Sequence, residues 1–399
     1  MASTSTTLLT FAIDLLDEGA DVVARRAVDA GLTCLSTTAA YHAGRDLLPH
    51  NPVRSIAYQP SGAVYFQPDW GVYGDDILRP VVAPVVGSRD VMVELAEAAT
   101  RHGLATSAWT VILHNSRLAE ARQDLAPQTA LGDRLLHMLC PANPAVQAYA
   151  TALACDIAGR GPSIIHLESM TYLPFDHGGH HERVMIPLRA QERRMLGVCF
   201  CGACIEAAKA GGVDGDAVRR AVGRHLRCVL DGPGSAIGDA DPSLERMLDD
   251  YLATRRAMIS AFVEHVSGSV RSRAPNVEIA VIDVSGYFAS LDPRTRSVDV
   301  AASDGFDLGR MAGPVDRVSV TAYFQDVERY RREVSDYVET LGDPSLLEVI
   351  LRPGPPDSHS PEDLRLRVQI ARDAGVRHLA FYNYGMMRLE ALDWIRAAL

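Results

Sequence analysis

Residues 163–168 read Ser-Ile-Ile-His-Leu-Glu, a short apolar run that ends on a carboxylate. Such a run, four to nine residues long and rich in β-branched side chains, is typical of a strand buried in a parallel sheet. Seven further runs share these properties, and amphipathic segments of helical length separate them. The eight predicted strands are 8–14, 33–38, 105–113, 163–168, 277–283, 317–323, 347–352 and 378–382. Strand–helix alternation repeated eight times predicts an α/β fold, the (β/α)8 TIM barrel.

Two long segments interrupt this alternation, one after the second strand and one after the fourth. Residues 39–87 are rich in proline, glycine and aromatic side chains, which favours a hairpin or lid. Residues 169–243 contain a histidine cluster and a cysteine cluster. We expect one barrel domain, 1–399, with both insertions at the C-terminal rim, where the active sites of such barrels lie.

The charge and composition of the chain exclude several classes of protein. The 39 basic and 50 acidic side chains give a net charge of −11, which argues against nucleic acid and anionic membranes as partners. Lys209 is the single lysine, so Schiff-base chemistry would depend on it alone, and a P-loop is excluded. No apolar run reaches the ~18 residues that span a bilayer. Since the N-terminus lacks a basic, apolar leader, we expect a cytoplasmic protein with cysteines that are thiols or metal ligands.

Three cysteines lie within six residues, at Cys199, Cys201 and Cys204. Thiolates at this spacing favour a tetrahedral soft-metal site, with Zn²⁺ as the default ion. Cys140 is the favoured fourth ligand because it follows the third strand at the rim, and the alternatives are His177, His180 and His181. A closed site of four sulfurs would be structural and would hold the long loop in place.

Carboxylates follow several of the predicted strands. Glu168 ends the fourth strand, Asp283 ends the fifth, and Asp14 ends the first. Because the carboxyl ends of barrel strands converge on one cavity, these side chains are candidates for acid–base chemistry. Two such carboxylates are the minimum that glycosidic hydrolysis requires, although each could instead pair with an arginine.

Aromatic rings and hydrogen-bond donors crowd the same rim. Tyrosine and tryptophan rings stack on the apolar faces of sugars, while arginine, asparagine and histidine donate to hydroxyls or carboxylates. A carbohydrate is therefore the expected partner of the barrel. The candidate substrate-binding residues are Asp14, Tyr41, His42, Arg45, Trp109, His114, Asn115, Tyr323, Arg352 and Tyr384.

With these residues in view, the chain resembles glycoside hydrolases of the (β/α)8 superfamily. The matching pieces are 109–117 (WTVILHNSR), 140–144, 164–172 (IIHLESMTY), the C-x-C-x-x-C and 381–385 (FYNYG). The cysteine cluster is similar to the zinc site of one family of barrel β-galactosidases, and this resemblance implies Cys140, Cys199, Cys201 and Cys204 as the ligands.

The sequence departs from those β-galactosidases at the catalytic positions. They carry an Asn-Glu pair on strand four and a nucleophilic glutamate on strand seven, whereas here the fourth strand ends His166-Leu-Glu168 and the seventh ends in Arg352. Glu348 lies too early on its strand to reach the rim. A pairing like that of amylase-type barrels fits better, with Glu168 as nucleophile or base and Asp283 as the acid.

Two other functions stay open at this point. The barrel could be a metal-dependent isomerase, epimerase or lyase of a sugar or sugar acid, with a rim histidine and Glu168 as metal ligands. It could also bind carbohydrate without turnover. The identity of the sugar, its linkage, the stereochemistry of cleavage and homo-oligomer formation are not determined by the sequence.

Overall fold

The computed structural model describes residues 4–75, 77–177, 183–232 and 241–399. These residues form a closed barrel of eight parallel strands with helices around it. Each strand pairs with the next, and the first pairs with both the second and the last, which closes the barrel. The predicted (β/α)8 barrel is confirmed; its description as a single domain stays a prediction. Strands β1–β8 are Ser5–Thr10, Cys34–Tyr41, Ala105–Val111, Ile164–Glu168, Glu278–Asp283, Arg317–Thr321, Leu347–Leu351 and His378–Phe381.

Helices cover the outside of the barrel, and each strand is followed by at least one of them. The helices of the outer layer are Ala20–Asp29, Val91–His102, Pro144–Ala158, Pro242–Arg273, Ser297–Ser303, Val327–Leu341, Pro361–Asp373 and Glu390–Ala398. Shorter or inserted helices are Ala12–Asp14, Ser116–Ala121, Ala190–Gly197, Gly202–Ala210, Gly215–Asp231 and Ser285–Ser290. Within the described ranges, no helix has both the length and the apolar character needed to cross a bilayer.

Local sequence signals explain where these helices begin and end. The Ser360 side chain accepts a hydrogen bond from the backbone N–H of Asp363 at 3.1 Å, and Pro361 occupies the first helical position. The Asp90 carboxylate likewise accepts from Met92 at 3.1 Å, and Gly103 ends that helix in the left-handed region. Each cap satisfies backbone groups that have no partner inside the helix.

The predicted bounds of the first strand are wrong. It covers Ser5–Thr10 and not 8–14, and residues 12–14 form a helical turn that continues into the π-helical turn Leu15–Gly19. The strand is rich in threonine and therefore looks polar in the sequence, but Thr7 and Thr10 are both fully buried. As a consequence, Asp14 does not lie at the end of a strand.

The barrel interior contains a buried polar layer beneath the rim. The His166 ring lies 2.6 Å from Glu348 through Nε2 and 2.5 Å from the Ser107 hydroxyl through Nδ1. Ser319 also donates to Glu348, at 2.6 Å. The imidazole and Arg317 lower the pKa of Glu348 to about 2 despite its burial. These contacts satisfy charged groups that an apolar interior would otherwise penalise.

Within the segment 39–87, the strands Gly44–Leu47 and Ile56–Gln59 pair antiparallel and form a hairpin at the barrel mouth. That the whole segment is one rim hairpin or lid stays a prediction. Two contacts tie the hairpin to the barrel. Arg54 donates twice to Asp17, at 2.7 and 2.8 Å, and His50 donates through Nε2 to the backbone carbonyl of Tyr384 at 2.8 Å. The other nitrogen of His50 lies 3.1 Å from the Glu18 carboxylate. These bonds fix the hairpin relative to β1 and β8.

Gly62 allows the end of this hairpin to approach the third βα loop. It has φ +59°, and a Cβ atom there would lie 2.1 Å from Oδ1 of Asn115. Gly62→Ala is expected to lower the free energy of unfolding by more than the ~1–2 kcal/mol of left-handed strain alone, because Asn115 must also move. Gly31→Ala is the control, since Gly31 has φ +79° and nothing within 4 Å. Equal losses in urea unfolding would contradict the close approach.

Candidate active site

A cavity of about 310 Å³ opens at the C-terminal mouth of the barrel. It lies under the rim hairpin and is bounded by the loops that follow β4 and β5. Its walls combine carboxylates, imidazoles and aromatic rings. Among the residues that line it are Tyr41, His42, Asp46, Trp109, His114, Glu168, His177, Phe288, Tyr323, Arg352 and Tyr382. A mixed wall of this kind is typical of a small-molecule site.

Glu168 projects into this cavity from the end of β4. Its carboxylate accepts a hydrogen bond from Nε1 of Trp109 at 2.6 Å and is otherwise in a buried, largely apolar setting. Burial raises the pKa of Glu168 to about 7, and the Trp109 hydrogen bond only partly opposes this effect. The side chain can therefore both hold and release a proton near neutral pH.

Asp46 is a second carboxylate on the cavity wall and is not among the residues predicted from the sequence. It lies on the rim hairpin, where Nε2 of Gln59 is 3.3 Å from its Oδ2. Burial raises the pKa of Asp46, while the hydrogen bond from Gln59 opposes the rise. Its neighbour Arg45, which the sequence analysis selected for substrate, faces outward and is exposed. Alternation along a strand was the available signal, because only one of two adjacent residues can face the cavity.

Four aromatic side chains form one continuous wall beside the two carboxylates. The ring centroids of Tyr41 and Trp109 are 5.0 Å apart, those of Trp109 and Tyr382 are 5.8 Å apart, and those of Tyr382 and Tyr323 are 5.7 Å apart. The guanidinium of Arg352 stacks on Tyr323 at 4.3 Å and donates to Asp357 at 2.5 and 2.7 Å. This arrangement offers flat apolar faces with a fixed cationic edge.

Three histidines continue this aromatic wall, because the ring of His42 stacks on that of Tyr41 at 4.3 Å. The rings of His42 and His114 stack at 4.3 Å, and Nε2 of His177 lies 3.4 Å from Nδ1 of His114. Burial lowers the pKa of His177 to about 4, and burial together with the neighbouring imidazoles lowers that of His114 further still. Both rings are therefore neutral at pH 7 and can donate or accept hydrogen bonds.

Asp283 does not share this cavity with Glu168, which corrects the predicted pair. Its carboxylate accepts from the hydroxyl of Tyr337 at 2.6 Å and from the backbone N–H of Ser285 at 2.9 Å, and Tyr337 belongs to the outer helix Val327–Leu341. In the β4–β5 register Glu168 is opposite Ile282, which lines the cavity. Since side chains alternate along a strand, Asp283 faces the helical layer.

Three other predicted substrate residues also lie outside the cavity lining. Asp14 is buried in its helical turn, where it accepts from the backbone N–H of Phe11 at 2.8 Å and burial raises its pKa to about 7. Asn115 caps the helix Ser116–Ala121 by accepting from the N–H of Leu118. The Tyr384 hydroxyl donates to Glu18 at 2.8 Å. These contacts are all made within the surrounding structure, although Oδ1 of Asp14 has no hydrogen-bond partner.

The four predicted cysteines converge at a second, separate centre. The Cys140 sulfur lies 3.8 Å from that of Cys199 and 3.5 Å from those of Cys201 and Cys204, and all four are buried. A tetrahedral ion with metal–sulfur bonds of about 2.3 Å needs sulfurs about 3.8 Å apart. These residues could therefore hold a metal ion.

The alternative ligands are distributed differently. Among the described residues, the four cysteines are the one group of three or more candidate ligands whose ligand atoms all lie within 4.8 Å of one another. His177 lines the cavity instead, and His180 and His181 lie outside the described residues. A metal site that joins His177 to Glu168 is thus not supported by the described part of the chain.

The comparisons with known proteins agree with the barrel. No protein-family model and no curated protein matches the chain. Among solved structures, the glycoside hydrolase domain of PgaB (BpsB) from Bordetella bronchiseptica has a TM-score of 0.63 at 14% identity, over 99% of this chain and 98% of that one. The β-galactosidase of the Antarctic haloarchaeon Halorubrum lacusprofundi has 0.58 at 13%, over 99% and 57%.

A third similar structure is α-L-fucosidase isoenzyme 2 from Paenibacillus thiaminolyticus, with a TM-score of 0.57 at 11% identity over 99% of this chain and 48% of that one. The chain thus spans about half the length of the fucosidase and the β-galactosidase. At these identities the likeness shows the fold, and the structural neighbours are glycoside hydrolases, as the resemblance implied.

The environment of Glu168 predicts a pH-dependent gain in stability for Glu168→Gln. A folded-state pKa of about 7 lies above the ordinary value of 4.5, so the wild-type protein loses stability as the pH rises from 4.5 to 7. Glutamine escapes this loss, which amounts to roughly 3 kcal/mol above pH 7. We expect the two proteins to be equally stable near pH 4 and the variant to be the more stable at pH 8 in chemical unfolding. A constant difference across this range would contradict the pKa shift.

Proposed function

We propose that the protein hydrolyses a glycosidic bond in the cavity at the barrel mouth. The observation that carries the proposal is that Glu168 and Asp46 line one aromatic cavity at the catalytic end of a (β/α)8 barrel. Paired carboxylates with sugar-sized aromatic surfaces are what glycosidic cleavage requires. The glycoside hydrolases among the structural neighbours support the same reaction class.

In this proposal Glu168 is the general acid. A carboxyl group with a pKa of about 7 is protonated at the start of the reaction and can donate to the leaving oxygen. Asp46, on the hairpin side, is then the base or nucleophile, because Gln59 stabilises its ionised form. These roles replace the predicted pair, in which Glu168 was the nucleophile or base and Asp283 the acid.

The remaining walls supply recognition. We propose that the aromatic wall of Tyr41, Trp109, Tyr382 and Tyr323 stacks on the sugar ring, while Arg352 and the neutral histidines bind its hydroxyls. Neutral imidazoles suit this task because each ring can donate one hydrogen bond and accept another. The substrate class is therefore a carbohydrate or glycoside.

Glu168→Gln and Asp46→Asn are expected to lower kcat/KM at least 100-fold on a responsive aryl glycoside or oligosaccharide, since each removes one partner of the acid–base pair. Asp283→Asn is the matched control, because its side chain bonds to the helical layer. It should retain activity even if its melting temperature falls. Loss of activity in Asp283→Asn, with Asp46→Asn unaffected, would restore the original pair.

The pH profile tests the assigned role of Glu168 separately. An acid with a pKa of about 7 must be protonated, so kcat/KM should fall as the pH rises through 7. A rise over this range would make Glu168 the base. Binding of sugars without turnover by the wild-type protein would instead support a carbohydrate-binding barrel.

We further propose that the four cysteines hold a structural Zn²⁺. All four donors are sulfur atoms, and their spacing is close to that around a tetrahedral ion. The Tyr172 hydroxyl lies within hydrogen-bond distance of the Cys204 sulfur, at 3.0 Å, and so orients one of the four ligands. The ion would link the loop after β3, which carries Cys140, to the segment that follows the cavity residues Leu173 and His177. A cytoplasmic location, which we also propose, would keep these thiols reduced.

The protein as purified is expected to contain one equivalent of zinc by elemental analysis. Cys201→Ser should lower both the zinc content and the melting temperature, because a closed zinc site contributes directly to folding. Cys228→Ser is the control, since Cys228 is exposed and outside the cluster. Full stability of Cys201→Ser without bound metal would overturn the structural role.

A further inference from the structure

A second cavity, of about 450 Å³, lies beside the first, between the loop that follows β4 and the helical segment that follows β5. Phe288 borders both cavities, and its ring lies 5.2 Å from that of His177, which lines the first. Apolar side chains, including Leu291 and Val300, form much of the wall of the second cavity. None of the proposed catalytic groups lies in it.

Arg255 lines the second cavity from the long helix Pro242–Arg273, and its side chain is buried. Its Nε is buried with no hydrogen-bond partner, and within the described ranges the guanidinium has no carboxylate within 4.0 Å. The guanidinium stacks on the ring of Tyr172, at 3.8 Å. Burial of a cation without a hydrogen-bond acceptor costs desolvation free energy, which a ligand that accepts from these N–H groups would offset.

The thiolate cluster does not supply the missing hydrogen bonds. The hydroxyl of Tyr172 lies 3.0 Å from the sulfur of Cys204. Burial lowers the pKa of Arg255, but the charges of Tyr172 and of the nearby sulfurs raise it by more. None of them accepts a hydrogen bond from the guanidinium in the described structure. The attraction between the charges is therefore present, but the planar set of N–H donors stays free for an acceptor.

The other charged groups around the cavity are largely engaged. Arg193 pairs with Asp176, and Asp299 pairs with Arg296 at 3.1 Å. Asp304 is the exception, since its side chain has no hydrogen bond in the described structure. Burial raises the pKa of Asp304 to about 8, although the nearby charge of Arg255 opposes the rise. At pH 7 this carboxyl group is mostly protonated and can donate a hydrogen bond to a ligand.

We propose that this second cavity binds a small molecule that carries a carboxylate, of the size of a hexuronic acid. The ligand carboxylate would accept from Arg255, whose fork of donors matches it, and the ligand ring would lie against Phe288, Leu291 and Val300. Asp304 would donate to the same ligand. The inference does not depend on hydrolysis, since it concerns binding at a cavity outside the proposed catalytic site.

The test compares D-glucuronate with D-glucose, which lacks the carboxylate, as probes of the full chain by ligand-observed NMR titration. We expect glucuronate to bind more tightly than glucose to the wild-type protein, and Arg255→Met to weaken glucuronate at least tenfold. Arg246→Met is the matched control, because Arg246 is exposed on the same helix and should bind as the wild type does.

A second variant keeps the test decisive if Arg255→Met fails to fold. Ser303→Trp would fill the cavity from the helix Ser297–Ser303 while leaving Arg255 and Tyr172 in place, and it should also abolish glucuronate binding. The proposal is overturned if glucuronate binds no more tightly than glucose. It is equally overturned if a folded Arg255→Met or Ser303→Trp binds glucuronate as the wild type does.

Discussion

Closure of eight parallel strands into a barrel is the constraint on which the site depends. Each strand sends alternate side chains inward, so its register decides which residues can meet at the mouth. The pairing of Glu168 with Ile282 sets this for two neighbouring strands at once. It directs Glu168 to the cavity and Asp283 to the helix that carries Tyr337. If β5 were displaced by one residue, Asp283 would face the cavity and Ile282 would face the helical layer.

Closure of the barrel also removes water from its interior, so a charged side chain there has a desolvation cost. Two buried carboxyl groups differ in how this cost is met. Deep in the barrel, Glu348 is kept ionised by His166, Arg317 and Ser319. At the mouth, Glu168 has only the indole of Trp109, and burial raises its pKa. The deep carboxylate is ionised and accepts hydrogen bonds from His166 and Ser319 through Oε2, whereas the upper one is partly protonated near pH 7. This contrast is typical of functional carboxyl groups.

The inserted segments complete the site because they are held from outside the barrel. The rim hairpin, which carries Asp46, is tied to β1 and β8 through His50 and Arg54. The loop after β4 contributes His177 to the first cavity, and the cysteine cluster lies farther along the same segment. The two cavities share Phe288 as a common wall. Supporting contacts of this kind hold loop residues in place, as a site that includes loop residues requires.

The sequence by itself determined the barrel and the cysteine centre. Eight apolar runs separated by helical patterns are compatible with few folds other than the barrel. Three of the cysteines lie close together in the sequence, and Cys140 follows the third strand at the rim, so the four sulfurs come together at that end of the barrel. It also indicated that Glu168 follows a strand into the cavity. These features depend on local pattern and on the common edge at which parallel strands end.

Only the tertiary structure shows which carboxylate shares the cavity with Glu168. A residue at the end of a strand can face either the cavity or the helical layer. The strand register and the hairpin pairing show that Asp46, and not Asp283, lies on the cavity wall. Asp14 accepts a hydrogen bond within a helical turn, and Asn115 accepts one as a helix cap. These local hydrogen bonds use polar atoms that could otherwise have contacted a substrate. The second cavity and its buried Arg255 come from elements far apart in the chain. Such groups meet only through long-range packing, for which a linear pattern contains no signal.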